Sequence, residues 1–521
     1  MTLLVASISG DNLDQIQERA TVSWSEGAEA VELRIDAFEG DPAALAAYLK
    51  GQSHRTWIVT CRSAAEGGLF RGNTMERVSL LLAAARGTDA YVDFEFADWQ
   101  RSANIRQKVL LAAARADGSH RRLVLSAHDF GGPPLELGRL LDEVLQVPEV
   151  SAAKVAFQAG HINDSFEALD QMHRRGGRAT VIAMGDDGLW TRVLARKLGS
   201  FATYCSMDPG SSTAPGQATL AQMSGQYGWS TMGPTTKVFG VLGDPVAHSM
   251  SPTLFGHWFA EAGLNAVYLP LRVRGGAREL AGFLDNCKAR PWLDLGGFSV
   301  TLPHKTQALK WSGEGADSAS SWIGAANTLV FREGTVRSLN TDCPAAVASM
   351  IAALDCTRED CAGLEVHVLG AGGAARAVVH GLYELGCDVT VFGRSPEKTL
   401  SLASKYGAKA AAWEDRSGSG GRVLINCTSM GMWPDVTDSP MSKGSLPGYR
   451  LVFDLIYNPL QTRLLRDAAE MGCATLNGID MFVRQAAKQF ELWTGIWPDL
   501  EAARGLVADE IQRRSGVHHD D

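Results

Sequence analysis

No Cys-x-x-Cys pair occurs among the nine cysteines, which stand at 61, 205, 287, 343, 356, 361, 387, 427 and 473. An odd number of scattered thiols argues against a disulfide framework or a zinc cage and reads as the reduced thiols of a cytoplasmic protein. Histidine is sparse, 12 residues without a His-Glu-x-x-His, and no metal site is expected. Long apolar runs are missing too: no window offers the roughly 18 uncharged apolar residues a membrane span needs. The opening MTLLVASISGDNLDQ has no basic segment and reaches a turn by Gly10, so neither export nor a membrane partner is expected. Basic charge is also short, with 49 Lys and Arg against 58 Asp and Glu for a net −9, which makes nucleic acid a poor partner. With 19 prolines, 55 glycines, 45% hydrophobic and 21% charged residues, the composition is that of a folded enzyme and not of a collagen-like or disordered chain. The 521 residues predict two to four domains at roughly 150 residues each.

What the sequence has instead is a strand-and-helix cadence. Over residues 1–225, short β-branched or apolar runs fall at 3–8, 30–35, 57–61, 91–96, 123–127, 152–157, 180–184 and 201–205, with Ala/Leu/Arg-rich stretches of helical period between them. Eight such units fit a (β/α)8 barrel, whose reactive side chains gather at the C-terminal ends of the strands. Glu32, Arg34 and Asp36 lie at or after the second run, Arg62 and Glu66 after the third, and His128 and Asp129 after the fifth, while Lys154 is inside the sixth and Arg192 beyond the seventh. In the apolar stretch SAAKVAFQ an amine is desolvated, which favours its neutral, nucleophilic form. Such an amine condenses with a ketone to a Schiff base, an electron sink for loss of the adjacent proton, and His128 is a group able to move that proton. The pairing points to β-elimination or aldol chemistry.

The segments VELRID (31–36), TCRSAAEGG (60–68), LSAHDF (125–130), the Lys154 strand, TRVLARKLGS (191–200) and TAPGQ (213–217) resemble type I 3-dehydroquinate dehydratase in order and spacing. The resemblance implies that Lys154 forms the Schiff base at the C3 ketone, and that His128, supported by Glu66, takes the C2 proton and helps the C1 hydroxyl leave. It implies Arg192 on the substrate carboxylate, Glu32, Arg34 and Arg62 on the ring hydroxyls, and Thr213 and Gln217 on a loop closing over the site. Thr213 stands where that family usually has serine.

A linker is expected at 226–236, inside the Gly/Ser/Thr-rich SGQYGWSTMGPTT. Further strands are expected at 238–242, 267–273, 297–302 and 328–331, then at 366–369, 389–392, 423–426 and 452–455. They describe a two-lobed α/β dehydrogenase: a substrate lobe over 237–342, a Rossmann-type cofactor lobe over 343–460, a helical return to the first lobe over 461–505, and a tail over 506–521. In EVHVLGAGGAARAVV (365–379) a strand runs into G-x-G-x-x-A before a helix. The small residues Gly370, Ala371, Gly372, Gly373, Ala374 and Ala375 let a pyrophosphate approach the backbone and the helix N-terminus. The next strand ends in Arg394, Ser395 and Lys398 with no acid for a ribose 2′-hydroxyl, which favours the 2′-phosphate of NADP.

Beside this lobe, VFGVLGDPVAHSMSP (238–252), GFSVTLPHK (297–305), GAANTLV (324–330) and LNTDCPA (339–345) supply polar groups after strands. Lys305 and Asp342 are candidates for the proton transfer that accompanies hydride transfer, or else a structural ion pair, and Ser249, Ser251, Thr301 and Asn327 could orient a polyol acid. Together with DLIYNPLQTRLL (454–465) and NGIDMFVRQAAKQFELWTG (477–495), these segments resemble shikimate dehydrogenase over 237–505. That resemblance implies Lys305 and Asp342 as the catalytic pair and adds Tyr457 and Gln485 around the substrate. TDCPA departs from the usual T-D-x-x-G, and Thr306 replaces a frequent Glu. The joined halves resemble the bifunctional fusion of the two families, which implies conversion of 3-dehydroquinate to 3-dehydroshikimate and then, with NADPH, to shikimate. The alternatives are a reductase half that prefers quinate and a metabolite sensor without catalysis. Retention of Lys154, His128, Lys305 and Asp342 weighs against the sensor, and the paired hydroxyls of Ser249 and Ser251 favour shikimate.

Overall fold

The computed structural model describes residues 2–115, 122–207, 216–247, 249–418 and 421–516. The chain divides into two compact units, Met1–Val238 with Phe259–Arg274 and Asp285–Asp294, and Phe239–Trp258 with Gly275–Leu284 and Leu295–Asp521.

All eight apolar runs of the first half are strands: β1 (Leu3–Ser9), β2 (Ala30–Arg34), β3 (Trp57–Thr60), β4 (Tyr91–Glu95), β5 (Leu123–Asp129), β6 (Val150–Gln158), β7 (Ala179–Met184) and β8 (Ala202–Cys205). They form one sheet in the order β7-β6-β5-β4-β3-β2-β1-β8, parallel throughout its registered pairs. The sheet curls into a nearly closed barrel. At the seam, Phe201 N donates to Ala179 O (2.9 Å), Thr180 Oγ1 donates to Ala202 O (3.0 Å) and accepts from Ala202 N (3.0 Å). The helices between strands follow from local chemistry. Over Thr74–Ala85, for example, Asn73 and Glu76 close a reciprocal cap of two 3.0 Å bonds, and Val78, Leu81 and Ala85 fall on the buried face. The stretch expected to be a linker is fastened down: Tyr227, Trp229 and Met232 are buried, Trp229 Nε1 donates to Glu29 (3.2 Å), and Arg196 lies 5.2 Å over the Trp229 ring.

The second half contributes β9 (Lys237–Gly243), β10 (Ala266–Arg272), β11 (Leu295–Val300), β12 (Thr328–Arg332) and β13 (Thr335–Leu339), in the sheet order β10-β9-β11-β12-β13. Then come β14 (Glu365–Leu369), β15 (Asp388–Gly393), β16 (Lys409–Ala412), β17 (Val423–Asn426), β18 (Leu451–Asp454) and β19 (Ala474–Leu476), in the order β16-β15-β14-β17-β18-β19 with every registered pair parallel. The order runs outward from β14 to β16 and then returns to the other side of β14 at β17, the doubly wound arrangement, which places a ligand crevice at the end of β14.

Three strands lie outside the sequence reading. Strand β13 is the return arm of a hairpin whose turn residues, Glu333 and Gly334, both have positive φ (48° and 77°). The other two, β16 and β19, are the edges of the second sheet, and β19 lies in the stretch expected to return to the substrate lobe. Within the same stretch the helix Ile479–Thr494 meets β12, where Gln489 Nε2 donates to Asn327 O (3.0 Å) and Trp493 Nε1 to Leu329 O (3.1 Å). The expected tail is corrected as well: a helix covers Leu500–Gly516, held through buried Ala503, Val507 and Ile511, spaced four apart. Among the described residues no helix is long and apolar enough to cross a membrane.

Candidate active sites

Lys154 projects from the middle of β6 and is only 7% exposed. Its Nζ lies 3.2 Å from Glu32 Oε1, 3.2 Å from Asp93 Oδ2 and 3.9 Å from the centroid of the Tyr204 ring. The amine is therefore met by two carboxylates, where the sequence predicts hydrocarbon. Asp93, on β4, is the residue the sequence reading missed. It also accepts from Arg62 (2.8 Å) and from Ser126 Oγ (2.6 Å), and Arg62 reaches Glu95 at 3.2 Å. Burial opposes ionisation of Asp93, but Arg62 and Lys154 outweigh it and hold the carboxyl well below its usual range. Glu32 is held low by the same contest, burial against Lys154 and Arg34, and it accepts from Ser7 Oγ (2.6 Å) and Thr60 Oγ1 (2.9 Å).

His128 ends β5, and a single oxygen of Glu66, Oε2, meets both its Nδ1 (2.8 Å) and its backbone N (3.0 Å). That clasp leaves Nε2 as the ring's other nitrogen. Burial, with the charges of Arg62 and Lys154, holds the imidazole well below its usual value and so neutral. Burial also pushes Glu66 up, to about 7, with Arg62 opposing and Glu95 and Asp93 assisting. Glu66 reaches the histidine on the turn after β3, where Gly67 (φ +79°) comes so close to Phe130 that a Cβ would sit 2.6 Å from the ring. Glu32, Arg34, Arg62, Glu66, His128, Lys154, Arg192 and Gln217 all line one cavity. Arg34 is paired with Asp36 by two bonds of 2.9 and 3.0 Å. Arg192 is buried, which lowers its guanidinium to about 10, and its Nη1 donates to Tyr204 O (3.3 Å). Thr213 lies outside the described residues.

In the second unit Lys305 Nζ lies 2.5 Å from Asp342 Oδ2, and Asn327 Nδ2 donates to Asp342 Oδ1 (2.9 Å) and toward Gln485 Oε1 (3.3 Å). Lys305 and Asp342 begin helices, Asn327 directly precedes β12, and Gln485 lies within the helix Ile479–Thr494. Tyr457 packs 4.7 Å from Phe482, whose carbonyl accepts from Gln485 Nε2 (2.9 Å). Thr301 N donates to Leu242 O (2.9 Å) and Asp244 N to Leu302 O (3.0 Å), so the loops after β9 and β11 run side by side. Ser249 lies on the first of these loops and Ser251 begins the helix Ser251–Glu261 that follows it, with Ser251 N donating to Ser249 Oγ (3.2 Å).

The glycine turn follows β14. Gly370 has φ +108° and donates to Phe392 O (2.7 Å), and a Cβ there would meet Cys427 O and Thr428 at 3.3 Å. At Gly372, cap of the helix Gly373–Glu384, a Cβ would meet nothing within 4 Å, which is the open approach a pyrophosphate requires. A Cβ on Gly373 would stand 3.4 Å from Lys305 Cδ, so the turn and the lysine are neighbours. Ala371 and Ala374 lie within the turn and the first helical residues, and Ala375 is fully buried. Arg394 is exposed just after β15, Lys398 is exposed in the first turn of the helix Pro396–Lys405, and Ser395 caps that helix by accepting from Lys398 N (3.5 Å). These residues fit a 2′-phosphorylated dinucleotide.

A buried amine among carboxylates inside a barrel, and a lysine–carboxylate pair against a glycine turn, are two candidate reaction centres for small molecules. Residues 4–234 match the family model of type I 3-dehydroquinase, 241–329 the shikimate dehydrogenase substrate binding domain, and 478–507 the shikimate 5′-dehydrogenase C-terminal domain. A bifunctional 3-dehydroquinate dehydratase/shikimate dehydrogenase, chloroplastic, of Arabidopsis thaliana is 32% identical over 95% of this chain and 82% of its own length. An NADP(+) shikimate dehydrogenase of Methanosarcina mazei is 38% identical over 53% of this chain and 99% of its own. A solved shikimate 5-dehydrogenase of Thermus thermophilus in complex with NADP(H) and shikimate is 33% identical, covers 52% of this chain and 98% of its own, and has a TM-score of 0.47. The chain belongs to the bifunctional 3-dehydroquinate dehydratase/shikimate dehydrogenase family.

Proposed function

We propose that the barrel dehydrates 3-dehydroquinate to 3-dehydroshikimate and that the second half reduces this product to shikimate with NADPH. What carries the reading is that Lys154 and the His128–Glu66 clasp line one cavity, while Lys305, paired with Asp342, abuts the glycine turn. In the barrel, Lys154 Nζ adds to the C3 ketone and water leaves, forming an iminium. His128 Nε2 takes the C2 proton, the electron pair moves into the iminium to give an enamine, and its return expels the C1 hydroxyl, which leaves as water with the proton from His128. Hydrolysis of the conjugated iminium frees the amine. Arg192 holds the carboxylate, Glu32, Arg34 and Arg62 the ring hydroxyls, and Gln217 lines the cavity beside them.

In the second half Gly370 to Ala375 would hold NADPH, with Arg394, Ser395 and Lys398 at its 2′-phosphate, and the bound cofactor would provide the hydride. Lys305 gives the carbonyl oxygen its proton, and Asp342, locked by Asn327, holds the ammonium in place. Ser249, Ser251, Thr301, Asn327, Tyr457 and Gln485 bind the ring hydroxyls and carboxylate. Nine free cysteines support a reducing compartment, the cytoplasm. The direct test gives the purified chain 3-dehydroquinate and follows the enone absorbance, then adds NADPH. The enone should appear and then decay as NADPH is consumed, with NADH much slower; no enone, or faster turnover of quinate than of shikimate in reverse, overturns the assignment.

Two variants probe the parts separately. Arg394→Ala should weaken NADP about ten- to a hundredfold, the roughly 1.5–3 kcal/mol of a charge-assisted contact, and leave NAD nearly unchanged; equal loss of both would move Arg394 to the shared pyrophosphate. Because Glu66 is raised to about 7, it becomes a carboxylate above that pH and then stabilises the imidazolium formed at His128. Dehydratase kcat should therefore rise through about pH 7. Glu66→Gln should flatten that rise and lower kcat by about a hundredfold, whereas an inflection that persists in the variant belongs to another group.

A further inference from the structure

Cys343, His380 and Glu384 have one ligand atom each within 4.8 Å of one another, on two helices of the second unit. Cys343 is the second residue of the helix Asp342–Leu354 and is buried. His380 and Glu384 lie four apart on the helix Gly373–Glu384 and so share a face, the imidazole buried and the carboxylate half exposed. His380 Nε2 and Glu384 Oε1 are 3.4 Å apart. That is long for a hydrogen bond but close to the edge of a tetrahedron whose arms are about 2.0–2.1 Å, roughly 3.3 Å. Among the described residues, Nδ1 of His380 is buried without a hydrogen-bond partner, and an ion on Nε2 leaves it so. Nε2, 3.4 Å from Glu384, thus lacks a close hydrogen-bond partner, and a buried polar group left so calls for an unplaced ion or water.

The geometry points to a site for a zinc-type divalent cation, bound by the Cys343 thiolate, the His380 imidazole and the Glu384 carboxylate, with water on the exposed side as fourth ligand. Sulfur, nitrogen and oxygen in one tetrahedral set suit Zn²⁺ over Mg²⁺ or Ca²⁺, which take oxygen alone. Binding releases the thiol proton. The two helices joined by the cation begin at Asp342 and at the glycine turn, so the ion would clamp the carboxylate of one to the cofactor cradle of the other. Asp342 itself is not a ligand, since its two oxygens are taken by Lys305 and Asn327. Gly381 makes the approach possible, since a Cβ there would press to 2.4 Å from Val347 and 3.3 Å from Cys343 Sγ.

Titrating the chelator-treated full chain with Co²⁺ tests the site. One equivalent should bind with intense tetrahedral visible bands and a thiolate-to-cobalt band in the near ultraviolet, and Zn²⁺ should displace it one for one. Cys343→Ser should abolish the near-ultraviolet band. His380→Gln and Glu384→Gln should each weaken binding by more than the ten- to hundredfold that loss of an outer-shell group costs. Glu384 is half exposed, so its variant separates loss of a ligand from loss of folding. The site is refuted by the absence of a bound equivalent, by a weak octahedral spectrum, or by a thiolate band that survives Cys343→Ser and vanishes in Cys356→Ser, because Cys356 and Cys361 also bring their sulfurs to 3.9 Å.

Discussion

Replacing Lys154 by alanine is expected to lower dehydration of 3-dehydroquinate by roughly ten-thousandfold or more, while the same purified chain oxidises shikimate at the wild-type rate. The size follows from the role: without the amine there is no iminium to receive the C2 electron pair, and the remaining groups only bind and orient. Independence follows from the fold, since Lys154 lies on β6 and Lys305 begins a helix beyond β11 in the other compact unit. The substitution also leaves Glu32 and Asp93 buried with one cation fewer, a loss of about 3–5 kcal/mol for a broken buried pair, so the barrel should melt earlier. A chemical test avoids that complication. Borohydride added to wild-type enzyme during turnover should reduce the iminium and fix an adduct to Lys154, with dehydratase activity lost in step. An adduct on another lysine, or loss of both activities in a folded Lys154→Ala chain, would dismiss the assignment.

Lys305→Ala should have the second largest effect, a fall in reductase kcat of roughly a hundred- to ten-thousandfold with little rise in KM for shikimate. The proton from Lys305 matters only as negative charge develops on the carbonyl oxygen, so the lost interaction belongs to the transition state. Asp342→Asn should fall less steeply, because Asn327 still orients the side chain while the charge that holds the ammonium is gone. Ser251→Ala is the contrast: its hydroxyl meets substrate and transition state alike, so KM should rise and kcat should change little. If Lys305→Ala raises KM alone, the lysine is a clamp for substrate, and the proton must come from Asp342 or a water it holds.

The barrel was legible because parallel strands are covered on both faces and so read as unbroken apolar runs with polar ends. Strand β16, KAAA, has no branched residue and lies largely exposed at an edge, and β13 turns on Glu333–Gly334, a pair without the asparagine or aspartate that marks a tight hairpin. Asp93 escaped notice inside a strand, although alternation along YVDFE sets Asp93 and Glu95 on one face, a signal of inward acids. That omission also explains the misreading of Lys154: its own strand is apolar, but its partners come from β2 and β4. In the connecting segment, Gly, Ser and Thr spoke for freedom, yet Tyr227, Trp229 and Met232 between them bury enough surface to anchor it. The Cys343, His380 and Glu384 group carries no spacing motif, because one helix supplies two members and a different helix the third.

The way the barrel closes has a consequence for how it is made. Strand β1 pairs with β2 on one side and with β8 on the other, Leu3 opposite Ala202 and Ala6 opposite Cys205. During translation the free side of LLVASIS waits for the last strand, and at about 5–20 residues per second that delay is on the order of 10–40 s. For that time a nascent chain carries an apolar strand edge able to pair with a neighbouring nascent chain. Chaperone demand and the yield of active protein should therefore be set by how quickly the ribosome delivers residues up to Cys205, well before the reductase half has emerged.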